Sequence, residues 1–230
     1  MKRVVADLTP SLQVLGGIVS MLGLIVVVGL VLGEDTDPSI DKQMLAQCVA
    51  GVVPLAVALF WPLGVSWLGR RGRPGLHLLG AYVLFMAAWV PIAFFAYPWF
   101  LDALGCPLEM QPHLEYFTAG SGQTGFWLTL VTVCVVGPIY EEIVFRGFFQ
   151  SGLRRWIGFV PSLIIVSVMF GLIHSVKLAF PLTLVGAFFG YIRERDDGML
   201  SPILVHVLHN SVTVGLVVGY PELMSEVYSK

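Results

Sequence analysis

Apolar runs separated by short polar breaks divide the chain into seven segments, at approximately 11–33, 44–68, 77–98, 125–153, 158–176, 178–193 and 199–220. Several approach or exceed the roughly 20 residues that an α-helix needs to cross the hydrocarbon core of a bilayer. Backbone groups in hydrocarbon must be bonded within their own segment, so such runs predict helices. The sixth run is short and contains Pro181, which predicts a tilted helix or a merger with its neighbour. The pattern predicts an all-α polytopic transmembrane bundle of about seven to eight helices. It forms a single integral membrane domain over 1–230, with N-terminal spans and a loop over 1–123 and a core over 124–220.

The breaks alternate in charge. Lys2 and Arg3 precede the first run, Arg70, Arg71 and Arg73 follow the second, Arg154 and Arg155 follow the fourth, and Arg193 and Arg195 follow the sixth. The other breaks carry Glu34, Asp35, Asp37, Asp41, Asp102, Glu109 and Glu115, with Lys42 and Lys177 as minor exceptions. Cytoplasmic loops are enriched in Lys and Arg, which places the N-terminus in the cytoplasm and the tail from Pro221 outside. The run from Leu12 to Gly33 is too long for the apolar part of a signal peptide and reads as the first span. The longest break, Trp99 to Gln123, holds Pro107, Pro112 and a Gly-Ser-Gly turn signal at 120–122, and either covers an opening or simply connects. GxxxG pairs at Gly29/Gly33, Gly186/Gly190 and Gly215/Gly219 predict close helix packing within one bundle. Lys177 is expected to extend its ammonium outward.

Composition agrees with this picture. Hydrophobic residues make up 57% of the chain and charged residues 12%, too few charges for a soluble surface. The net charge of −2 gives no footing for nucleic acid. Cys48, Cys106 and Cys134 are scattered, so neither a disulfide framework nor a thiolate zinc site is expected. Cys134 shares a face with Glu141, but an apolar helix makes a thiol inert, which disfavours a cysteine nucleophile.

Against this background, the ionisable residues inside the runs stand out. In GPIYEEIVFRGFFQ, Glu142 and Arg146 are i and i+4 and predict an ion pair on one face. Glu141 is turned about 100° away and has Phe145 at its own i+4 position. It is left as a carboxylate in an apolar setting without a partner on its helix, the kind of environment that tunes a general base or acid. FGLIH places the ring of Phe170 one turn before His174, and HVLHN projects His206 and Asn210 together, with His209 on a neighbouring strip. Counted at ~1.5 Å per residue from the basic ends of their helices, Glu141 lies roughly 21 Å up and His174 roughly 24 Å up. His206 and Asn210 lie about 10 and 17 Å up, a gap that tilt can close. One shared cluster is therefore geometrically allowed. A lone intramembrane His is often helix–helix glue worth about 0.6 kcal/mol. Ionisable groups on three helices at compatible depths point instead to function.

These residues resemble the three motifs of the CPBP family of intramembrane proteases (CAAX protease and bacteriocin-processing, or Abi). That family unites type II CaaX-prenyl endopeptidases with bacterial bacteriocin-processing and self-immunity proteins. Its pattern is EExxxR, FxxxH, then HxxxN or HxxxD, and the sequence reads EEIVFR at 141–146, FGLIH at 170–174 and HVLHN at 206–210. The resemblance covers about residues 125–215. It implies a peptidase in which Glu141 and His174 activate water and His206 and Asn210 hold the oxyanion, with Glu142, Arg146 and Phe170 supporting the site. It implies a glutamate-dependent site without a cofactor. One Glu and two His can also ligate Zn²⁺ with an open position for water, so Glu141, His174 and His206 stand as an alternative metal set. The partners implied are the lipid bilayer and a membrane-associated protein or peptide substrate. The alternatives are a proton-coupled transporter, which would be expected to show repeats and broken helices, and a non-catalytic immunity or scaffold protein of the same fold.

Overall fold

The computed structural model describes residues 2–61, 74–118, 120–122, 125–222 and 228; the end of the second predicted span and Arg70, Arg71 and Arg73 lie outside them. The described residues form eight helices and no strand, the all-α bundle expected. They are α1 (Lys2–Leu32), α2 (Ile40–Phe60, interrupted at Gly51), α3 (Leu76–Ala103), α4 (Pro112–Thr118), α5 (Phe126–Ile157), α6 (Phe159–His174), α7 (Ala179–Asp196) and α8 (Leu200–Gly219). Five of them, α1, α2, α3, α5 and α8, are long and apolar enough to cross a bilayer, and α6 is a shorter apolar helix. The run at 178–193 forms α7, which falls short of that standard because its C-terminal end carries Arg193, Glu194, Arg195 and Asp196. The short α4 lies inside the longest predicted loop.

Large apolar side chains face outward over the bundle: Ile25 is 65% exposed, Leu84 74% and Phe60 85%. Such a surface is stable only against lipid. Polar contacts gather at its two ends. At one, Arg154 pairs with Glu194, and His77 meets Asp196 at 3.2 Å. At the other, Lys42 bonds Asp35 at 2.8 Å, the Tyr116 hydroxyl donates to Asp41 at 3.0 Å, and Lys177 reaches Glu109 at 2.8 Å and the Pro107 carbonyl at 3.0 Å. Lys177 is thus a tie between the α6–α7 turn and the 104–111 connection, not a free snorkelling cation.

Two local features set up the interior. α5 is 32 residues long and includes widened π-type turns at Thr132–Val136 and Ile143–Gln150. Such turns break the i+4 ladder and leave carbonyls open to other partners. α6 and α7 lie against each other almost backbone to backbone. A Cβ on Gly186 would come 3.2 Å from Phe170 Cδ1, and one on Gly171 would overlap the Ala179 carbonyl and the Thr183 hydroxyl. Only Gly186/Gly190 among the predicted GxxxG pairs mediates helix packing. Gly29, Gly33, Gly215 and Gly219 face open space, which corrects the expectation for those two pairs. Gly158 joins α5 to α6 at φ +82°, a conformation that side chains disfavour.

Gly171→Ala forces its methyl onto main chain that cannot rotate away, and is expected to cost about 1–3 kcal/mol. Gly215→Ala, facing open space, stays within about 0.5 kcal/mol. Thermal unfolding of both variants in detergent checks the contrast; equal midpoints would contradict the packing described.

Candidate active site

Glu142 is the hub. It is fully buried, and one carboxylate oxygen, Oε1, accepts from His206 Nδ1 at 2.9 Å and lies 3.3 Å from Arg146 Nη1. Arg146, also fully buried, donates from Nη2 to the Gly186 carbonyl at 2.8 Å. Its guanidinium sits 4.8 Å from the Phe170 ring centre and 5.6 Å from that of Phe189, favourable cation–π placements. The predicted i,i+4 pair is present, and its contact at 3.3 Å is ionic rather than a directed hydrogen bond. Arg146 Nη1 and Nε and Glu142 Oε2 have no hydrogen-bond partner. Phe170 therefore packs on both sides of the centre, against Arg146 and, at 4.8 Å between ring centres, against His174.

Glu141 points the other way. Its Oε2 lies 3.7 Å from His206 Nε2 and 4.0 Å from His174 Nε2. The structure thus brings Glu141 of α5, His174 of α6 and His206 of α8 to one point. The tautomers follow from the second partner of each ring. His174 Nδ1 lies 2.8 Å from the Phe170 carbonyl, which can only accept, so Nδ1 carries a proton and, in the uncharged ring, Nε2 is the acceptor facing Glu141. The Glu142 carboxylate likewise accepts a hydrogen bond from His206 Nδ1–H. Separations of 3.7 and 4.0 Å are too long for direct hydrogen bonds and suit a water molecule between the groups. Asn210 borders the same cavity, but one amide N–H is committed to the Val133 carbonyl at 2.8 Å, inside the first π-type turn of α5.

The cavity holding these groups measures about 700 Å³. Its wall also includes Tyr140, His209, Gln111 and His113, none of which the motifs single out. His113 sits on α4, and burial together with the neighbouring His174 pulls its imidazole down to about 4. The one available sign of it in the sequence was a histidine inside the longest loop. As to a metal, no three His, Cys, Asp or Glu side chains among the described residues are grouped closely enough to hold an ion.

Carboxylates and imidazoles from three helices thus border one cavity inside a helical bundle whose outer surface is apolar. Residues 123–212, the part that carries these side chains, match the family described as type II CAAX prenyl endopeptidase Rce1-like. An Escherichia coli protein named "Uncharacterized 24.3 kDa protein" is 30% identical over 52% of the chain and 57% of its own length. A Bacillus subtilis (strain 168) protein named "Putative membrane peptidase YdiL" is 32% identical over 38% of the chain and 36% of its own length. The chain thus spans between about a third and somewhat over half of these relatives. No solved structure matches it.

His113 provides a test of the site's electrostatics. Its folded value of about 4 lies below its ordinary 6.5, so the unfolded chain binds that proton more readily. The contribution of a neutral His113 is complete above about pH 6.5 and is lost as pH falls towards 4. Stability measured between pH 7 and 4 is expected to fall less steeply in His113→Gln than in the parent; identical slopes would remove His113 from the acid response.

Proposed function

We propose that the chain is an intramembrane endopeptidase that hydrolyses a peptide bond in a membrane-associated protein or peptide. The observation that carries this reading is the gap between Glu141 Oε2 and the bare Nε2 of His174, 4.0 Å wide with acceptors on both sides. A water there gives one hydrogen to the carboxylate and the other to the imidazole, and its lone pair is left for attack.

In the first step the water oxygen bonds to the scissile carbonyl carbon as its proton passes to Glu141. The carbonyl π pair moves onto oxygen. The resulting oxyanion is met by the second N–H of Asn210, whose amide is oriented by its bond to Val133. His206 offers an Nε2–H to the same oxygen when it is an imidazolium, a charge supported by Glu142 behind it and Glu141 in front. In the second step the C–N bond breaks and the proton held between Glu141 and His174 goes to the departing amine. One product ends in a new carboxyl group and the other in a new amino group. Arg146 and Phe170 act through Glu142 and His174, which they fix in place.

On this reading the site works without metal. Glu141→Gln keeps the shape but loses the base, and is expected to lower cleavage by about 10²–10⁴-fold. Asn210→Ala is expected to cost about 10²–10³-fold. The measurement is cleavage of reporter peptides by protein in lipid nanodiscs, with metal content determined on the same sample. Full activity in Glu141→Gln sinks the reading. One zinc per chain together with loss of cleavage on chelation sinks its metal-free form, and flux of protons without cleavage favours a transporter.

We also infer that the N-terminus is cytoplasmic and the C-terminus extracytoplasmic. The Arg154, Arg155, Arg193 and Arg195 end then faces the cytoplasm and the Asp35, Asp41 and Glu109 end faces outward. Reporter fusions at the two termini are expected to give opposite signals; matching signals overturn the orientation.

A further inference from the structure

α8 carries a polar group on the cavity wall that the reaction above does not use. His209 is 5% exposed, borders the cavity, and has its Nδ1 sealed without a hydrogen-bond partner. Aromatic rings enclose it edge to face. Trp89 lies 5.0 Å away between ring centres at 76°, Phe189 6.0 Å at 75°, and Tyr82 6.2 Å at 81°. Trp89 is itself fixed by donating from Nε1 to the Pro181 carbonyl at 3.0 Å. The imidazole therefore has a defined position among rigid neighbours.

Its two nitrogens differ. Among apolar rings the uncharged imidazole is favoured, with one N–H and one bare lone pair. Buried N–H groups without partners are rarer than unmet acceptors, so the sealed Nδ1 is the bare nitrogen. The N–H then sits on Nε2, which is not among the sealed, unpartnered atoms. The same cavity is lined by Trp89, which packs against His209 and Phe94, and by Phe94, Pro181 and Leu182. His209 is three residues beyond His206, or roughly 4.5 Å along the helix axis. An extended peptide advances about 3.3 Å per residue, so this displacement corresponds to one to two residues.

We propose that His209 is a substrate-positioning residue. Its Nε2–H donates to a main-chain carbonyl of the peptide next to the scissile bond, and the uncharged, apolar side chain at that position packs against Trp89, Phe94, Pro181 and Leu182. A charged side chain there would lose its hydration and find no counter-charge. The proposal rests on the hydrolase reading and adds to it a second contact with the substrate backbone and a preference at one flanking position.

The test uses the full chain in lipid nanodiscs with internally quenched peptides of apolar sequence, varied at the positions flanking the cleaved bond. His209→Gln places an N–H near the site of Nε2, whereas His209→Asn places one near Nδ1. His209→Phe keeps a ring and removes the donor. The Phe and Asn variants are expected to raise KM about tenfold with kcat little changed, the signature of lost ground-state binding. The Gln variant is expected to keep KM near that of the parent, and peptides with Lys or Asp at the flanking position to be poor substrates of all forms. Should the Phe variant fail to fold, the Gln and Asn pair decides. Equal KM for Gln and Asn, or an unchanged KM for Phe, overturns the proposal while Glu141-dependent cleavage stands. Absence of any Glu141-dependent cleavage by the parent protein overturns the hydrolase reading itself, and this inference with it.

Discussion

One carboxylate oxygen, Glu142 Oε1, ties together three of the four helices that surround the centre. It faces Arg146 on its own helix α5 and His206 on α8, and Arg146 reaches onward to the Gly186 carbonyl on α7. Neither ion has access to water. The desolvation of such a pair is costly and its mutual attraction only partly offsets that cost, so it is poor evidence of added stability. Its consequence is geometric. If either charge is removed, the other is left stranded, and a shift of α8 or α7 breaks the same contacts. The relative placement of the helices is therefore set at the point where His206 has to present Nε2 towards Glu141.

Adjacent glutamates end in opposite situations because consecutive helical residues point about 100° apart. Glu142 turns inward to a cation and an imidazole. Glu141 turns to the cavity, where its side chain is 18% exposed and the nearest basic atoms are imidazole nitrogens beyond direct bonding distance. The sequence distinguished the two by the residue at i+4, Arg146 against Phe145, and this was sufficient. The bond from Glu142 to His206 was not legible, because it joins residues 64 apart through the mutual tilt of α5 and α8. Rise per residue placed His206 lower in the bilayer than Glu141. The structure closes that gap at 3.7 Å, and no count along a single helix contains that information.

The same limit explains what else escaped the sequence. Apolar runs located the helices, since hydrocarbon allows few alternatives for a backbone. They did not reveal the π-type turns of α5, which arise from how the chain packs. One of those turns exposes the Val133 carbonyl that holds Asn210. Asn210 was legible as a polar group one turn from His206, but not as an amide with one hydrogen already committed. The GxxxG spacing was present three times and used for packing once, because small residues permit close approach without specifying a partner. His113 and His209 lie outside the motif pattern, and only the cavity relates them to the centre.

The cavity borders both the apolar surface of the bundle and one of its polar ends. On one side its wall includes Ile25 of α1, which is 65% exposed on the lipid-facing surface of the bundle. On another it includes Gln111 and His113, beside the end of the molecule where Tyr116 meets Asp41 and Lys177 meets Glu109. His174 occupies the last position of α6, immediately before the Ser175–Leu178 turn that Lys177 fastens to the 104–111 connection. The Glu142–Arg146 pair is sealed from both the apolar surface and the polar end, and its burial keeps that carboxylate and guanidinium from exchanging their partners for water.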